Sequence, residues 1–88
     1  MNFEAAVRVM LKPSVNDPQG LSIRGGLHAL GFDQVSGVRA GKIIQLQLSA
    51  ESRQTAEAAV AQMCERLLAN PVIEQYEFTL RDAPAPVA

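Results

Sequence analysis

The chain has 88 residues, a formal net charge of −1 and a sequence pI near 5.7, which fit one small domain. Its basic residues are scattered, so the sequence lacks the clustered positive charge that nucleic-acid binding requires. It also lacks a membrane-length apolar run and the pattern of a secretory leader. Cys64 is the single cysteine, which excludes an intramolecular disulfide and favours a buried thiol in a reducing compartment. We therefore expect a cytoplasmic protein that binds neither nucleic acid nor membrane.

The first third of the chain predicts a strand followed by a helix. Apolar residues alternate over positions 3–11, the period of a half-buried strand. Asp17 and Pro18 predict a helix start, because aspartate caps free backbone N–H groups and proline suits the first helical position. The helix is expected to end before Gly31. Its apolar stripe comprises Ile23, Leu27 and Leu30.

Two glycines, Gly25 and Gly26, lie inside this predicted helix. Each glycine costs a helix about 1 kcal/mol relative to alanine. Either a neighbouring element packs very closely against the pair or the helix is weak, and we favour the weak helix.

The remaining residues predict a hairpin, a long helix and a last strand. Residues 34–40 and 42–48 form two extended runs around Gly41, typical of a hairpin. A helix is expected over residues 52–69 because apolar residues recur at helical spacing, and a strand over 72–81 because they alternate. The predicted core stripe of the helix includes Met63 and Leu67, and that of the last strand includes Val72.

The element order β-α-β-β-α-β is that of ferredoxin-like domains and predicts an α+β fold. Right-handed crossovers predict a four-stranded antiparallel sheet with two helices on one face. We expect one domain over residues 1–82 and a disordered tail at 83–88. The other sheet face is mixed and apolar enough to suggest a subunit interface; its residues are Ala6, Arg8, Met10, Ile43, Gln45 and Gln47.

No arrangement of residues in the sequence predicts a catalytic, cofactor-binding or metal site. His28 is the only histidine and is interpreted as a surface or half-buried helix residue, while Cys64 is interpreted as a core thiol. The acidic residues are dispersed, and no glycine-rich nucleotide loop occurs. An RNA-recognition domain is disfavoured because the predicted strand KIIQLQL has no aromatic residue on which bases could stack.

The segment NDPQGL, residues 16–21, resembles the turn of a regulatory module called the ACT domain. In that family an Asp-x-Pro-Gly-like turn opens the first helix and holds an amino-acid effector. Asp17, Pro18, Gly20 and Leu21 are similar to this turn, although Gln19 separates the proline from the glycine. The resemblance implies an amino-acid-sensing domain as the alternative function. The same residues also make an ordinary helix start.

A second resemblance extends over residues 7–80. LKPSVNDPQG is similar to the LKxxVLDPQG segment of the PurS subunit of phosphoribosylformylglycinamidine synthase, with Asn16 in place of an apolar residue. VRAGK at residues 38–42 resembles the family's VRxGK hairpin. MCERLLANPVIE at residues 63–74 resembles its MCEKLLANPVIE block, with arginine at position 66.

The PurS resemblance implies a non-catalytic accessory subunit in de novo purine biosynthesis. In that family a glutaminase subunit releases ammonia, and a large synthetase subunit uses ATP and Mg²⁺ to convert formylglycinamide ribonucleotide to the amidine. The small subunit forms a homodimer or a dimer of dimers. It bridges the two enzymes, assists ammonia transfer and binds no cofactor itself.

The resemblance also implies where the chain contacts its partners. The segment Asn16, Asp17, Pro18, Gln19 and Gly20 is expected to be a rigid docking loop. Arg39 and Lys42 are expected to be charged contacts for the larger subunits. The alternative for both is an ordinary helix cap with solvated charges.

Overall fold

The computed structural model describes residues 1–83. It contains three strands and two helices, and the second helix continues into a π-helical turn. In chain order these are β1 (Asn2–Leu11), α1 (Pro18–Ala29), β2 (Gly41–Ser49), α2 (Arg53–Met63), the π-helical turn (Cys64–Leu68) and β3 (Glu74–Asp82).

The three strands form an antiparallel sheet with β1 in the centre, in the order β2-β1-β3. Val7 on β1 lies opposite Ile44 on β2 and Phe78 on β3, so apolar residues of all three strands share one face. We call this the inner face of the sheet. Helix α2 packs against it. The buried core comprises Phe3, Ala5, Val7, Val9, Ala56, Val60, Cys64, Ala69 and Leu80.

The prediction of a four-stranded sheet is wrong, because residues 34–40 are not a strand. The polar groups of this segment bond elsewhere. The Ala40 N–H donates to the Asp17 carboxylate, and the Val35 carbonyl accepts from the His28 ring. A segment whose hydrogen bonds run to the preceding helix and loop cannot add a ladder to β2.

The prediction of two helices packed on one face is wrong as well. Helix α1 makes at most slight contact with the sheet, in contrast to α2. Residues 18–40 form an arm in which α1 runs outward and the extended segment after Gly31 returns to β2. The radius of gyration is 16.9 Å, whereas a compact domain of this length has about 12 Å. A protruding arm explains the difference.

The second helix departs from its predicted stripe at the π-helical turn. A π-helical turn is wider than an α-helical one, so it changes the angular position of the side chains within it and after it. Leu67 is consequently 84% exposed, while Cys64 and Ala69 are buried. Met63 is also exposed. Val72 precedes β3 in a turn and is exposed rather than part of the core.

The predicted start and end of the first helix are confirmed. Asp17 caps α1, Pro18 is its first residue, and Gly31 follows its end with a φ of 96°. At the other end of the chain, Ala83 donates its N–H to the Asn2 carbonyl. Residues 84–88 of the predicted tail lie outside the described residues.

Candidate docking site

Asp17 is the structural centre of the predicted docking loop. One carboxylate oxygen accepts the Gly20 N–H at 2.9 Å, and the other accepts the Ala40 N–H at 2.8 Å. These hydrogen bonds, with a smaller contribution from the nearby Arg39 guanidinium, hold the pKa of Asp17 below its ordinary value. Asp17 is 4% exposed. It therefore fixes both ends of the arm to each other.

Arg39 binds the same loop from the returning end of the arm. Its Nη2 donates to the carbonyl oxygens of Lys12 at 2.9 Å and Val15 at 3.1 Å. Its Nε lies 3.9 Å from the Asp17 carboxylate. We call Asp17 and Arg39 together the latch. The Arg39 side chain is 40% exposed, but its guanidinium donates to backbone carbonyls of the same chain, so Arg39 stabilises the loop in addition to any contact with a partner.

Gly20 allows the two ends of the arm to approach each other closely. A Cβ atom at this position would collide with the Val38 carbonyl oxygen and with the Asp17 carboxylate. Glycine is therefore required here because another backbone passes directly over it. Gly25 and Gly26 differ, since nothing lies within 4 Å of where their Cβ atoms would be. Among the described residues no neighbour packs closely against Gly25 and Gly26, which agrees with the expectation of a weak helix.

The exposed predicted residues lie beside the latch. Asn16, Pro18, Gln19 and Lys42 are exposed, in contrast to Asp17 and Gly20. A cavity of about 250 Å³ adjoins the latch. It is lined by Val9, Leu11, Asp17, Gln19, Ala40, Gly41, Lys42 and Glu74. The structure thus brings Asp17, Gln19 and Lys42 together around one depression.

Sequence reasoning missed Glu74 as a member of this group. Glu74 pairs with Leu11 at the start of β3 and accepts the Asn70 N–H at 2.6 Å. Its place at the cavity depends on the pairing of β1 with β3, which joins residues far apart in the chain. Only its position at the end of the MCERLLANPVIE block marked it in the sequence.

The amino-acid-sensing alternative requires the turn carboxylate to be free for a ligand. Asp17 is buried, and both of its oxygens already accept backbone N–H groups. A ligand ammonium group would have to displace bonds that hold the arm together. The geometry therefore favours a structural task for Asp17.

The remaining titratable residues agree with their predicted structural roles. The half-buried ring of His28 makes a hydrogen bond to the Val35 carbonyl through Nε2 at 2.7 Å. Cys64 is fully buried, and desolvation, helped by Glu65, raises the pKa of its thiol. Residues 1–83 contain no group of three or more His, Cys, Asp or Glu arranged to hold a metal ion. Within the same range, no helix has the length and apolar character needed to cross a membrane.

Comparison with known proteins identifies the family. The family model described as PurS, phosphoribosylformylglycinamidine (FGAM) synthase, matches residues 4–82. The chain belongs to the PurS family. It is 46% identical to phosphoribosylformylglycinamidine synthase subunit PurS of Synechocystis over 90% of this chain and 79% of that one. It is 42% identical to the Archaeoglobus fulgidus PurS subunit over 89% and 98% of the two chains.

A solved structure of PurS-family architecture supports the same assignment. A chain in the structure of PurLQS from Thermotoga maritima superposes with a TM-score of 0.84 at 36% identity. The superposition covers 92% of this chain and 99% of that one. The three-stranded sheet and projecting arm therefore belong to a PurS chain, and the PurS resemblance inferred from the three sequence motifs is confirmed.

Proposed function

We propose that this PurS chain is the accessory subunit that joins the glutaminase and the synthetase of phosphoribosylformylglycinamidine synthase and assists ammonia transfer between them. As a PurS subunit it is part of an ATP-dependent, glutamine-using C–N ligase, and it contributes no catalytic residue. ATP and Mg²⁺ act at the synthetase, and this chain binds no cofactor. It works in the cytoplasm.

One observation carries the assignment of a docking site. Gln19 and Lys42 are exposed beside a single cavity, and the latch of Asp17 and Arg39 fixes the backbone on both sides of it. A preformed surface loses little conformational freedom on binding, which favours association. Lys42 has no ion-pair partner among residues 1–83, so its charge is available to an acidic group of a larger subunit.

Reconstitution of the three-subunit enzyme tests this proposal. Lys42→Glu places a like charge against an acidic partner, which can cost several kcal/mol of association. We expect at least about a tenfold weaker assembly, equal to about 1.4 kcal/mol. Glutamine-supported amidine synthesis should fall by more than ammonia-supported synthesis, because only the former needs the glutaminase in place.

Arg66→Glu provides the matched control. Arg66 is also exposed and without an ion pair among the described residues, but it lies in the π-helical turn, away from the cavity. The control should keep the wild-type ratio of glutamine-supported to ammonia-supported activity. If Lys42→Glu keeps that ratio too and assembles normally, the cavity is not the docking site.

A further inference from the structure

The sheet, α2 and the π-helical turn form the body of the chain, and one end of its inner face carries opposite charges. The inner-face residues from Ile44 to Leu48 on β2 and from Tyr76 to Leu80 on β3 are apolar or aromatic. The next inner-face positions toward the latch are Lys42 on β2 and Glu74 on β3. Both line the cavity of about 250 Å³ beside the latch.

The cover that the body provides for this face ends just before the cavity. Tyr76 donates its hydroxyl to the Glu65 carboxylate of the π-helical turn at 2.9 Å, and Val9 beside it on β1 is 1% exposed. Leu11 lies one inner-face position farther along β1 and is only half-buried. The cavity therefore has an apolar floor at Leu11 between two charged sides.

The two charges of the cavity are not neutralised within the described chain. Neither Lys42 nor Glu74 forms an ion pair in residues 1–83. Strand β1 lies between them, so the backbones of β2 and β3 are about 10 Å apart. Directly opposed charges on the other sheet face do pair, as Arg8 does with Glu77 at 2.8 Å. The cavity thus keeps one free positive and one free negative side chain.

The carboxylate of Glu74 is held in place before any partner binds. Its Oε1 accepts the Asn70 N–H at 2.6 Å, and the Glu74 N–H donates to the Asn70 carbonyl at 2.7 Å. The Lys12 N–H donates to the Ile73 carbonyl at 2.9 Å, which joins this turn to the end of β1. The latch fixes the backbone on the other side of the cavity. A negative charge fixed in this way loses little freedom on binding.

We propose that the docking partner at this cavity presents an acidic and a basic side chain next to each other, the acidic one to Lys42 and the basic one to Glu74, around an apolar contact with Leu11. This inference rests on the proposed function and names the chemistry of the partner at that same site. Two opposite charges fix the orientation of the partner as well as attracting it. A helix supplies such a pair from residues three or four positions apart, whose Cβ atoms are about 5–6 Å apart.

Small ligands fit the two charges less well than a protein surface does. The Glu74 carboxylate repels a phosphate or another simple anion, and the Lys42 ammonium repels a metal cation. A free amino acid carries its ammonium and carboxylate groups on one carbon atom, whereas Lys42 and Glu74 lie on strands that β1 separates. The arrangement therefore favours two separate side chains of a partner protein.

Titration of this chain into the two larger subunits tests the sign of the charge that meets position 74. Glu74→Gln keeps an oxygen that can accept the Asn70 N–H and loses only the charge, so assembly should weaken about threefold. Glu74→Lys places a like charge against the basic side chain of the partner, so assembly should weaken about tenfold. A partner that is only acidic would bind Glu74→Lys more tightly than the wild type.

Glu51→Gln and Glu51→Lys provide the matched controls. Glu51 is exposed, has no ion pair among the described residues and follows β2 at the opposite end of the sheet from the cavity. Both controls should keep the wild-type dissociation constant, and far-UV circular dichroism checks that every variant is folded. Added NaCl gives a second measurement: it should weaken assembly of the wild type more steeply than assembly of Glu74→Gln.

The outcomes separate this inference from the proposed function. If Lys42→Glu weakens assembly but Glu74→Lys strengthens it or leaves it unchanged, the partner is only acidic, and the inference fails while the docking site stands. If neither substitution changes assembly, docking at the cavity fails as well. If Glu74→Gln alters the mass of the isolated chain in light scattering, a second copy occupies the cavity and the inference is overturned.

Discussion

The body and the arm of this chain use similar apolar patterns with opposite results. In the body, the alternating residues of β1 from Phe3 to Val9 are at most 1% exposed, because α2 and the two flanking strands cover them. In the arm, Ile23 and Leu30 of the apolar stripe remain exposed although their spacing is regular. Periodicity predicts which residues seek burial, but it does not state whether the covering surface belongs to the same chain.

The largest expected loss of folding free energy comes from a substitution in the core of the body. Phe3→Ala removes a side chain that is 0% exposed and should lower the free energy of unfolding by about 3–5 kcal/mol. Leu67→Ala, at an 84% exposed position, should change it by no more than about 0.5 kcal/mol. Urea denaturation of both variants makes the comparison. Equal losses would contradict the position of the core.

Two glycine substitutions in α1 should have opposite signs. Gly20→Ala introduces a Cβ against the Val38 carbonyl and should cost about 1–3 kcal/mol through overpacking. Gly25→Ala meets nothing within 4 Å and should stabilise the helix by about 0.5–1 kcal/mol. Thermal denaturation at one protein concentration measures both. A stabilising Gly20→Ala would show that the arm does not close over Asp17.

The smallest expected change in Tm comes from replacing Asp17 of the latch, and this change should depend on pH. The folded-state pKa of Asp17 lies below the ordinary value of 3.8, so folding favours the ionised carboxylate. Its contribution to stability is present above that ordinary pKa and is lost as the pH falls through the folded-state pKa. The Tm of the wild type should exceed that of Asp17→Asn at pH 7, and the difference should shrink progressively below about pH 4. A difference independent of pH would contradict the role of the charge.

These contrasts explain what the sequence could predict. The cap at Asp17, the end of α1 at Gly31 and the strand alternation of β1 depend on neighbouring residues, and all three were predicted correctly. The four-stranded sheet was wrong because residues 34–40 read as a strand but bond to α1 and the loop. Whether residues 34–40 form a strand depends on the contacts that Asp17 and Arg39 make across the arm. A local sequence pattern does not show such contacts.

The docking residues illustrate the same limit. The motif around residues 16–20 was visible in the sequence, but the division into buried residues and exposed ones was not. Asp17 and Gly20 are buried, while Gln19 and Lys42 are exposed at the rim of the cavity. Glu74 joins them only through the pairing of β1 with β3. Partner contact at these residues remains a prediction for the reconstituted enzyme.

Hydrogen–deuterium exchange tests the distinction between body and arm most directly. A helix with two interior glycines and an exposed apolar stripe opens more readily than a strand at the centre of the sheet. We predict that the α1 amides exchange at least about tenfold faster than the β1 amides, equal to a difference in protection of about 1.4 kcal/mol. If the α1 amides are as strongly protected as the β1 amides, the arm is as stable as the body and the distinction between them is wrong.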